Sequence, residues 1–297
     1  MLTRRRLLAG GAVTLASGAG VSAFGLVVEP GLLLRVTEYD LPVPGWGARP
    51  PLVLSVIADI HANEPWMPLA RIRRIVDTAN ALNPDVHLLL GDHPGHFPWV
   101  RQRLPMPEVV AELARLRAPL GTHAVLGNHD YWDDDYVQRN ARGRPLLYRL
   151  QQDAGINVLA NAATRLPHGD GVWLCGTESM LAYRGGIGRM YRGADNLALA
   201  LAPLAADTAP AILMAHEPDQ FVNVPGRVAL TLSGHTHGGQ VRLFGWSPII
   251  GSRYGQRFAY GLVEEEGRRL VVSGGLGCSV FPVRFGVVPE ILRIRLS

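Results

Sequence analysis

The chain has 297 residues, 47% of them hydrophobic, which is enough apolar side chain for one large globular core. Its formal charge of +4 falls to about +1 when the three arginines near the N-terminus are set aside, because 26 of the 29 basic residues then face 25 acidic ones, and no nucleic-acid partner is expected. Every basic residue is an arginine, so the sequence excludes chemistry that needs a P-loop or Schiff-base lysine.

Residues 1–28 have the pattern of an export signal or an N-terminal membrane anchor. Arg4, Arg5 and Arg6 precede an uncharged apolar stretch from Leu7 to Val28. Paired arginines ahead of two leucines are typical of a twin-arginine signal. The stretch is also long enough to span a bilayer, so a cleaved precursor and an anchored protein both stay open. We expect a periplasmic or extracytoplasmic protein, or one anchored to the cytoplasmic membrane. The alternative is an apolar first helix in a cytosolic protein.

Residues 29–51 are predicted to form a linker with a first strand, and residues 52–297 a single domain. Five short apolar runs in that domain have the weak alternation of strands that are covered on both faces. They are Leu52–Ala58, Val86–Leu90, Ala124–Leu126, Ala211–Ala215 and Val228–Leu232.

Helical patterns alternate with these strands, and three more strands follow them. Helices are predicted over 68–82, 107–117, 146–154 and 196–205, and strands over 258–263, 269–272 and 290–296. Alternation of this kind predicts a layered α/β fold.

A polar cluster directly follows each of the five apolar runs. Because ligands gather at the carboxyl ends of strands in open α/β sheets, the clusters are expected to converge on one edge. Aspartate, histidine and asparagine suit Zn, Mn or Fe, and the imidazoles are too many for a dedicated Mg or Ca site. A single buried histidine is more often a core residue than a ligand, but the five clusters together predict a metal site. The clusters are Asp59-Ile60-His61, Gly91-Asp92, Gly127-Asn128-His129-Asp130, His216 and Gly234-His235-Thr236-His237.

These five motifs, in this order, resemble those of the calcineurin-like metallophosphoesterase family, and the likeness spans Leu52 to about Gln240. His237 is followed by Gly238-Gly239-Gln240, which, together with the N-terminal segment, is similar to the bacterial exported or membrane-associated phosphodiesterase subgroup. The resemblance implies a four-layer α/β/β/α sandwich of two mixed sheets with outer helices. It also implies that residues 52–297 are the metallophosphoesterase domain.

The resemblance implies two divalent transition-metal ions, which are Mn, Fe or Zn, and a role for each motif residue. Asp92 would bridge the two ions. His129 would act as the acid or charge stabiliser at the leaving group, and Asp130 would orient it through a hydrogen bond. A metal-bound hydroxide would then attack phosphorus. The first ion would be held by Asp59, His61 and His237, and the second by Asn128, His216 and His235.

The function implied is hydrolysis of a phosphate ester, most simply by a phosphodiesterase. A phosphomonoesterase or protein phosphatase, a nucleotide pyrophosphatase, and a non-catalytic binding module of the same fold are the alternatives. A lipid-linked substrate is one hypothesis, based on the apolar residues near the first two motifs, and core packing explains those residues equally well. They are Trp66, Met67, Phe97, Trp99 and Met106.

Several residues outside the motifs have open roles. His93 and His96 follow Asp92 where many relatives have a second acidic residue, and they are either ligands, substrate contacts or solvated loop residues. Cys175 and Cys278 are compatible with a disulfide or with two separate thiols. Three loop arginines are candidate phosphate contacts or solvated side chains. These arginines are Arg184, Arg189 and Arg192.

Overall fold

The computed structural model describes residue 20, residues 22–185 and residues 191–297, so the three leader arginines and Arg189 lie outside the described residues. An N-terminal helical segment, Phe24–Leu32, comes first. In the described ranges, no helix is both long and apolar enough to cross a membrane. The helices that follow are α1 (Leu69–Ala81), α2 (Met106–Leu113), α3 (Asn128–Trp132), α4 (Asp135–Asn140), α5 (Leu146–Asp153) and α6 (Leu197–Leu201), with short 3-10 turns at Ala202–Ala206, Pro218–Asn223, His237–Gly239 and Gly255–Phe258.

The strands are short, and most of them belong to two large sheets. In chain order they are β1 (Arg35–Leu41), β2 (Leu52–Ile57), β3 (Asn63–Glu64), β4 (Val86–Leu89), β5 (Gln102–Arg103), β6 (Thr122–Ala124), β7 (Asn157–Val158), β8 (Ala162–Leu166), β9 (Val172–Gly176), β10 (Tyr183–Arg184), β11 (Tyr191–Arg192), β12 (Ala211–Met214), β13 (Leu230–Ser233), β14 (Gly261–Glu265), β15 (Arg268–Val272) and β16 (Glu290–Leu296).

The first sheet has the order β1-β16-β2-β4-β6-β7, and the second has the order β14-β15-β13-β12-β9-β8. In the first sheet only β16 and β2 pair antiparallel, with Ile294 opposite Leu54. In the second sheet β9, β12, β13 and β15 run parallel, and the edge strands β8 and β14 are antiparallel. The two small sheets pair β3 with β5 and β10 with β11. The sheets are mixed, as predicted.

Alternation along β2 shows how the layers form. Leu52, Leu54 and Val56 pack in the core between the two sheets, whereas Ile57 joins the core beneath the helices. Helices α1, α2 and α5 cover the outer face of the first sheet. Helix α6 and the 3-10 turns at Ala202–Ala206, Pro218–Asn223 and Gly255–Phe258 cover the outer face of the second sheet. Successive strand side chains point to opposite faces, so both sheets bury both faces. This arrangement confirms the predicted four-layer sandwich.

Several element boundaries differ from the sequence prediction. The strand predicted over 258–263 is β14 at Gly261–Glu265, because a 3-10 turn occupies Gly255–Phe258. Helix α2 ends at Leu113 instead of 117, because the amides of Arg115 and Leu116 bond three residues back and tighten the chain into a turn. Helix α6 ends at Leu201 and continues as a 3-10 turn, since Pro203 has no N–H to donate. The third strand, β6, covers residues 122–124, two residues earlier than predicted.

Candidate metal centre

The five polar clusters lie at the carboxyl ends of five parallel strands. Strands β2, β4 and β6 of the first sheet lead into the clusters at Asp59, Asp92 and Asn128. Strands β12 and β13 of the second sheet lead into His216 and His235. Stacking the two sheets brings these ends together. Ligand atoms lie within 4.8 Å of one another in three groups, which are Asp59-His61-His237, His61-Asp92-His129 and Asp92-His216-His235.

Asp92 lies between two of these groups. Its Oδ2 is 3.2 Å from Nε2 of His216 and 3.7 Å from Nε2 of His61. Its other oxygen, Oδ1, accepts a hydrogen bond from the backbone N–H of His129 at 2.8 Å. The His61 Nε2 atom is in turn 3.1 Å from Nε2 of His237. One carboxylate therefore connects the ligand atoms of both sheets.

The backbone at these residues is unusual. Five predicted ligands have left-handed φ angles, which non-glycine residues seldom adopt. Such conformations cost about 1–3 kcal/mol each and persist mainly at functional sites, where surrounding contacts impose them. The angles are 52° at Asp59, 45° at His61, 55° at Asp92, 70° at His235 and 53° at His237.

Glycines let the chain approach the ligands closely. A Cβ at Gly127 would lie 2.3 Å from Oδ1 of Asp92 and 2.7 Å from ring atoms of His216. A Cβ at Gly234 would lie 2.4 Å from Oδ2 of Asp59. No side chain fits at either position, so the two motif glycines serve ligand packing.

Burial sets the charge state of the cluster. Burial lowers the pKa of both His61 and His235 to about 3, and with His61 and Arg284 nearby it holds that of His237 well below its usual range. Neutral imidazole is the form that binds metals. Burial also raises the pKa of Asp59 to about 7, although His216 opposes the shift. Against the cost of burial, His216 keeps the pKa of Asp92 well below normal.

Unsatisfied polar atoms show that the residues fit a metal. Buried polar atoms are normally hydrogen-bonded, and exceptions need a partner of another kind. Three atoms of the predicted ligands lack a hydrogen-bond partner among the described residues, and a divalent cation would satisfy carboxylate, amide and imidazole lone pairs together. These atoms are Oδ2 of Asp59, Oδ1 of Asn128 and Nδ1 of His235.

His129 lies at the open side of the cluster. His129 is only partly buried, and its ring packs edge-on against the ring of His61, with ring centroids 4.8 Å apart. Desolvation lowers its pKa, although Asp92 acts in the opposite direction. A ring at this position can reach a bound ester.

The prediction that Asp130 orients His129 by a hydrogen bond is wrong. The Asp130 carboxylate instead accepts from the backbone N–H groups of Gly127 (2.7 Å), His93 (2.8 Å) and Asp92 (3.0 Å), and it lies 3.1 Å from Nδ1 of His93. These bonds use the carboxylate fully. Asp130 therefore fixes the two ligand loops after β4 and β6 relative to each other.

His93 and His96 have different surroundings. His93 is buried between Asp130 and Gln151, whose Nε2 lies 2.9 Å from Nε2 of His93, so it is not a solvated loop residue. His96 is exposed beside Arg103 and Asp133. Neither belongs to a ligand group in the described part of the chain. His93 supports the Asp130 loop contact.

Arg284 was not identified from the sequence. Its buried guanidinium donates to the carbonyls of Gly277 and Val287, and its Nη2 lies 3.2 Å from Nδ1 of His237. It places a positive charge directly behind a predicted ligand. Arg284 lies 47 residues from His237 in sequence, and no motif signals it.

A cationic and aromatic wall borders the open side. The Trp132 ring is 5.0 Å from the His129 ring and stacks on Tyr191 at 5.2 Å. The exposed Arg184 guanidinium lies over the Trp132 ring at 4.9 Å. Arg192 lies instead over Tyr183, farther along the same segment. Arg184 is therefore the described loop arginine that is placed beside His129.

Other open assignments are now settled. Cys175 and Cys278 are free and buried. Met67 and Phe97 belong to the interior, whereas Trp99 is 59% exposed. Core packing therefore explains part of the apolar set.

The fold and the site define a metal-dependent phosphoesterase, a hydrolase with its ligands at the carboxyl ends of two stacked sheets. The calcineurin-like phosphoesterase family model matches residues 53–239, and the chain belongs to that family. It is 26% identical to the uncharacterized metallophosphoesterase YkuE of Bacillus subtilis over 98% of this chain and 93% of that protein. It is 28% identical to the phosphodiesterase YaeI of Escherichia coli over the full length of both. It is also 28% identical to the UDP-2,3-diacylglucosamine pyrophosphatase LpxG of Chlamydia trachomatis over 90% of each chain.

Proposed function

We propose that this chain is a phosphodiesterase that uses a pair of divalent transition-metal ions, Mn, Fe or Zn. The observation that carries the proposal is the position of Asp92, whose Oδ2 lies 3.2 Å from His216 and 3.7 Å from His61. A carboxylate shared by two neighbouring ligand groups is suited to bridging two ions. The relative from Escherichia coli, which is named a phosphodiesterase, supports this choice of reaction.

The proposed roles follow from placement. One ion would be held by Asp59, His61 and His237. The other ion would be held by Asn128, His216 and His235, and Asp92 would bind both ions. When bound, divalent ions act as Lewis acids that activate the attacking water and polarise the phosphate.

His129 and Arg184 complete the proposed site. His129 would give a proton or a hydrogen bond to the leaving oxygen, because its ring lies on the open side of Asp92 and His61. Arg184 supplies positive charge beside Trp132, where a phosphate oxygen outside the metal centre would lie.

A pyrophosphate bond in a lipid-linked nucleotide is the second candidate substrate. It is supported by the chlamydial relative, whose name gives UDP-2,3-diacylglucosamine as its substrate. We also propose export through the segment that begins with Arg4, Arg5 and Arg6, and this rests on the sequence pattern alone.

The test is hydrolysis of bis(p-nitrophenyl) phosphate by purified protein, first after chelation and then after Mn, Fe, Zn or Mg is restored. The proposal predicts turnover that disappears with the chelator and returns with a transition metal. Faster hydrolysis of p-nitrophenyl phosphate would favour a monoesterase instead. No hydrolysis of any ester by folded, metal-loaded protein would favour a binding module.

A further inference from the structure

An exposed apolar surface lies beside the metal centre and is built from three segments, which we call the apolar rim. They are the hairpin 243–249, the loop 279–285 and the N-terminal helical segment Phe24–Leu32. Six of the large apolar side chains in the hairpin and the loop are more than half exposed. Exposed apolar patches of this kind are uncommon on soluble proteins unless they contact a partner. The exposed fractions are 51% for Leu243, 107% for Phe244, 58% for Trp246, 71% for Ile249, 62% for Val280 and 52% for Phe281.

The hairpin tip is held in an uncommon conformation. The N–H of Leu243 donates to the Trp246 carbonyl at 2.8 Å, and the reverse bond is 2.9 Å, which leaves Phe244 and Gly245 as the two turn residues. Both have positive φ, 50° at Phe244 and 80° at Gly245. Turns of this type favour asparagine, aspartate or glycine at the position of Phe244. An aromatic side chain is therefore presented at the tip despite its backbone cost.

Hydrogen bonds join the hairpin to the loop. The Gln240 side chain donates to the carbonyls of Phe281 (2.9 Å) and Val283 (3.0 Å) and accepts from the N–H of Ser279 at 2.6 Å. The backbone of Arg242 donates to the Phe285 carbonyl at 2.7 Å. These bonds hold the two segments together as one surface.

The N-terminal helical segment joins the same surface. The Gly25 carbonyl accepts from the N–H of Arg284 at 2.9 Å, and the Phe24 ring lies 6.0 Å from the Phe285 ring. Leu26 and Val27 are 43% and 57% exposed beside it. Residues 7–19, an uncharged apolar stretch of the sequence, lead directly into this segment.

The charge of the rim favours an anionic partner. The sequence from 220 to 263 contains no aspartate or glutamate, and neither does the sequence from 267 to 289. Glu29 is 1% exposed and accepts from the N–H groups of Gly286 and Val287. Two arginines lie near the hairpin. Arg242 is half-buried with its guanidinium 5.8 Å from the centre of the Tyr260 ring, and Arg253 has a side chain that is 72% exposed, 4.0 Å from the Asp219 carboxylate. Asp219 is therefore the one carboxylate that these residues contact in the described part of the chain, and exposed aromatic residues with an exposed arginine and few carboxylates are typical of surfaces that enter a membrane interface.

We propose that the apolar rim docks on a phospholipid bilayer that contains anionic lipid. Phe244, Trp246, Ile249 and Phe281 would enter the interface, and the exposed Arg253 would face the lipid phosphates. The hairpin chain returns to the metal centre, since a Cβ at Gly251 would lie 3.4 Å from Nε2 of His235. Docking would therefore place the metal centre at the membrane surface, within reach of esters carried by lipids, and only this last step rests on the proposed function.

The test uses the full chain with an environment-sensitive NBD fluorophore on a Phe244→Cys variant. Cys175 and Cys278 are 0% and 2% exposed, so the label reaches position 244 selectively. The control carries the label on Leu199→Cys, a position that is 57% exposed on α6 in the outer layer of the second sheet. Vesicles of phosphatidylcholine with phosphatidylglycerol should shift the emission at position 244 to the blue and allow quenching by doxyl-labelled lipids. The label at position 199 should show neither effect.

Two results would overturn the proposal. One is a label at position 244 that stays in water while the protein co-sediments with vesicles. In that case the N-terminal apolar stretch, and not the apolar rim, would bind the protein to the membrane. The other is no binding to vesicles at all. The double variant F244S/I249S should lower the vesicle partition coefficient, measured by titration with lipid, at least about tenfold, because two apolar side chains no longer leave water. Leu199→Ser should leave it unchanged. A lipid-free dimer that F244S/I249S converts to a monomer would identify a second copy as the occupant and refute the membrane.

Discussion

Replacement of Gly127 by alanine should disrupt the metal centre without straining the backbone. Gly127 has φ −94° and ψ 179°, which alanine adopts freely. The new Cβ would lie 2.3 Å from Oδ1 of Asp92, whereas ordinary contact begins at 3.4 Å. Asp92 or the strand end must therefore move by about 1 Å, and a displacement of that size costs roughly 10²-fold in rate.

The assay is kcat/KM for bis(p-nitrophenyl) phosphate, measured together with metal content. Gly226→Ala is the matched control, because a Cβ at Gly226 meets nothing within 4 Å. We expect at least about a 10²-fold loss for Gly127→Ala and a change below about twofold for the control. Thermal unfolding of both variants checks that they fold. Wild-type turnover and metal content in Gly127→Ala would refute the argument from close packing.

Three further changes are expected to have distinct effects. His129→Ala should lower kcat about 10²–10⁴-fold while metal content, measured by atomic emission, stays at the wild-type level. Asp130→Asn should lower the free energy of unfolding by about 1–3 kcal/mol in denaturant titrations, because an amide N–H₂ would face the backbone donors of Gly127, Asp92 and His93. Burial lowers the pKa of His87 to about 4. Between pH 6.5 and 4 the His87 imidazole is therefore protonated in the unfolded chain but not in the folded one, so acid lowers the free energy of unfolding of the wild type. His87→Met removes this titration, and its free energy of unfolding should fall less over the same pH range, by up to about 3 kcal/mol. The role of His129 would be contradicted by unchanged turnover in His129→Ala that retains its metal. The role of Asp130 would be contradicted by unaltered stability in Asp130→Asn, and that of His87 by parallel curves of stability against pH in wild type and His87→Met.

The convergence of the candidate ligands could be predicted because each motif follows an apolar strand. The apolar pattern of a strand shows at which residue the chain leaves the sheet, and the carboxyl ends of parallel strands lie at the same edge of the sheet. The same reasoning predicted α1 after Pro68 and the end of α5 before Gly155, since proline and glycine act locally.

Contacts set by tertiary structure could not be predicted in this way. Arg284 reaches His237 only because the loop that follows β15 folds back to the metal centre, where the N–H of Gly277 donates to the Asp59 carbonyl at 2.7 Å. Asp130 was assigned to its sequence neighbour His129, but its acceptors come from the loop after β4. The exposed tip at Phe244 contradicts local turn preference, so no pattern of residues signals it.

The most direct test of the account is the number of metal ions bound per chain, measured in wild-type protein and in Asp92→Asn under the same loading conditions. The account predicts two transition-metal ions in the wild type, and loss of metal together with turnover in Asp92→Asn, since Asp92 lies between both ligand groups. A single ion in active wild-type protein, or full occupancy in Asp92→Asn, would contradict the bridging role of Asp92.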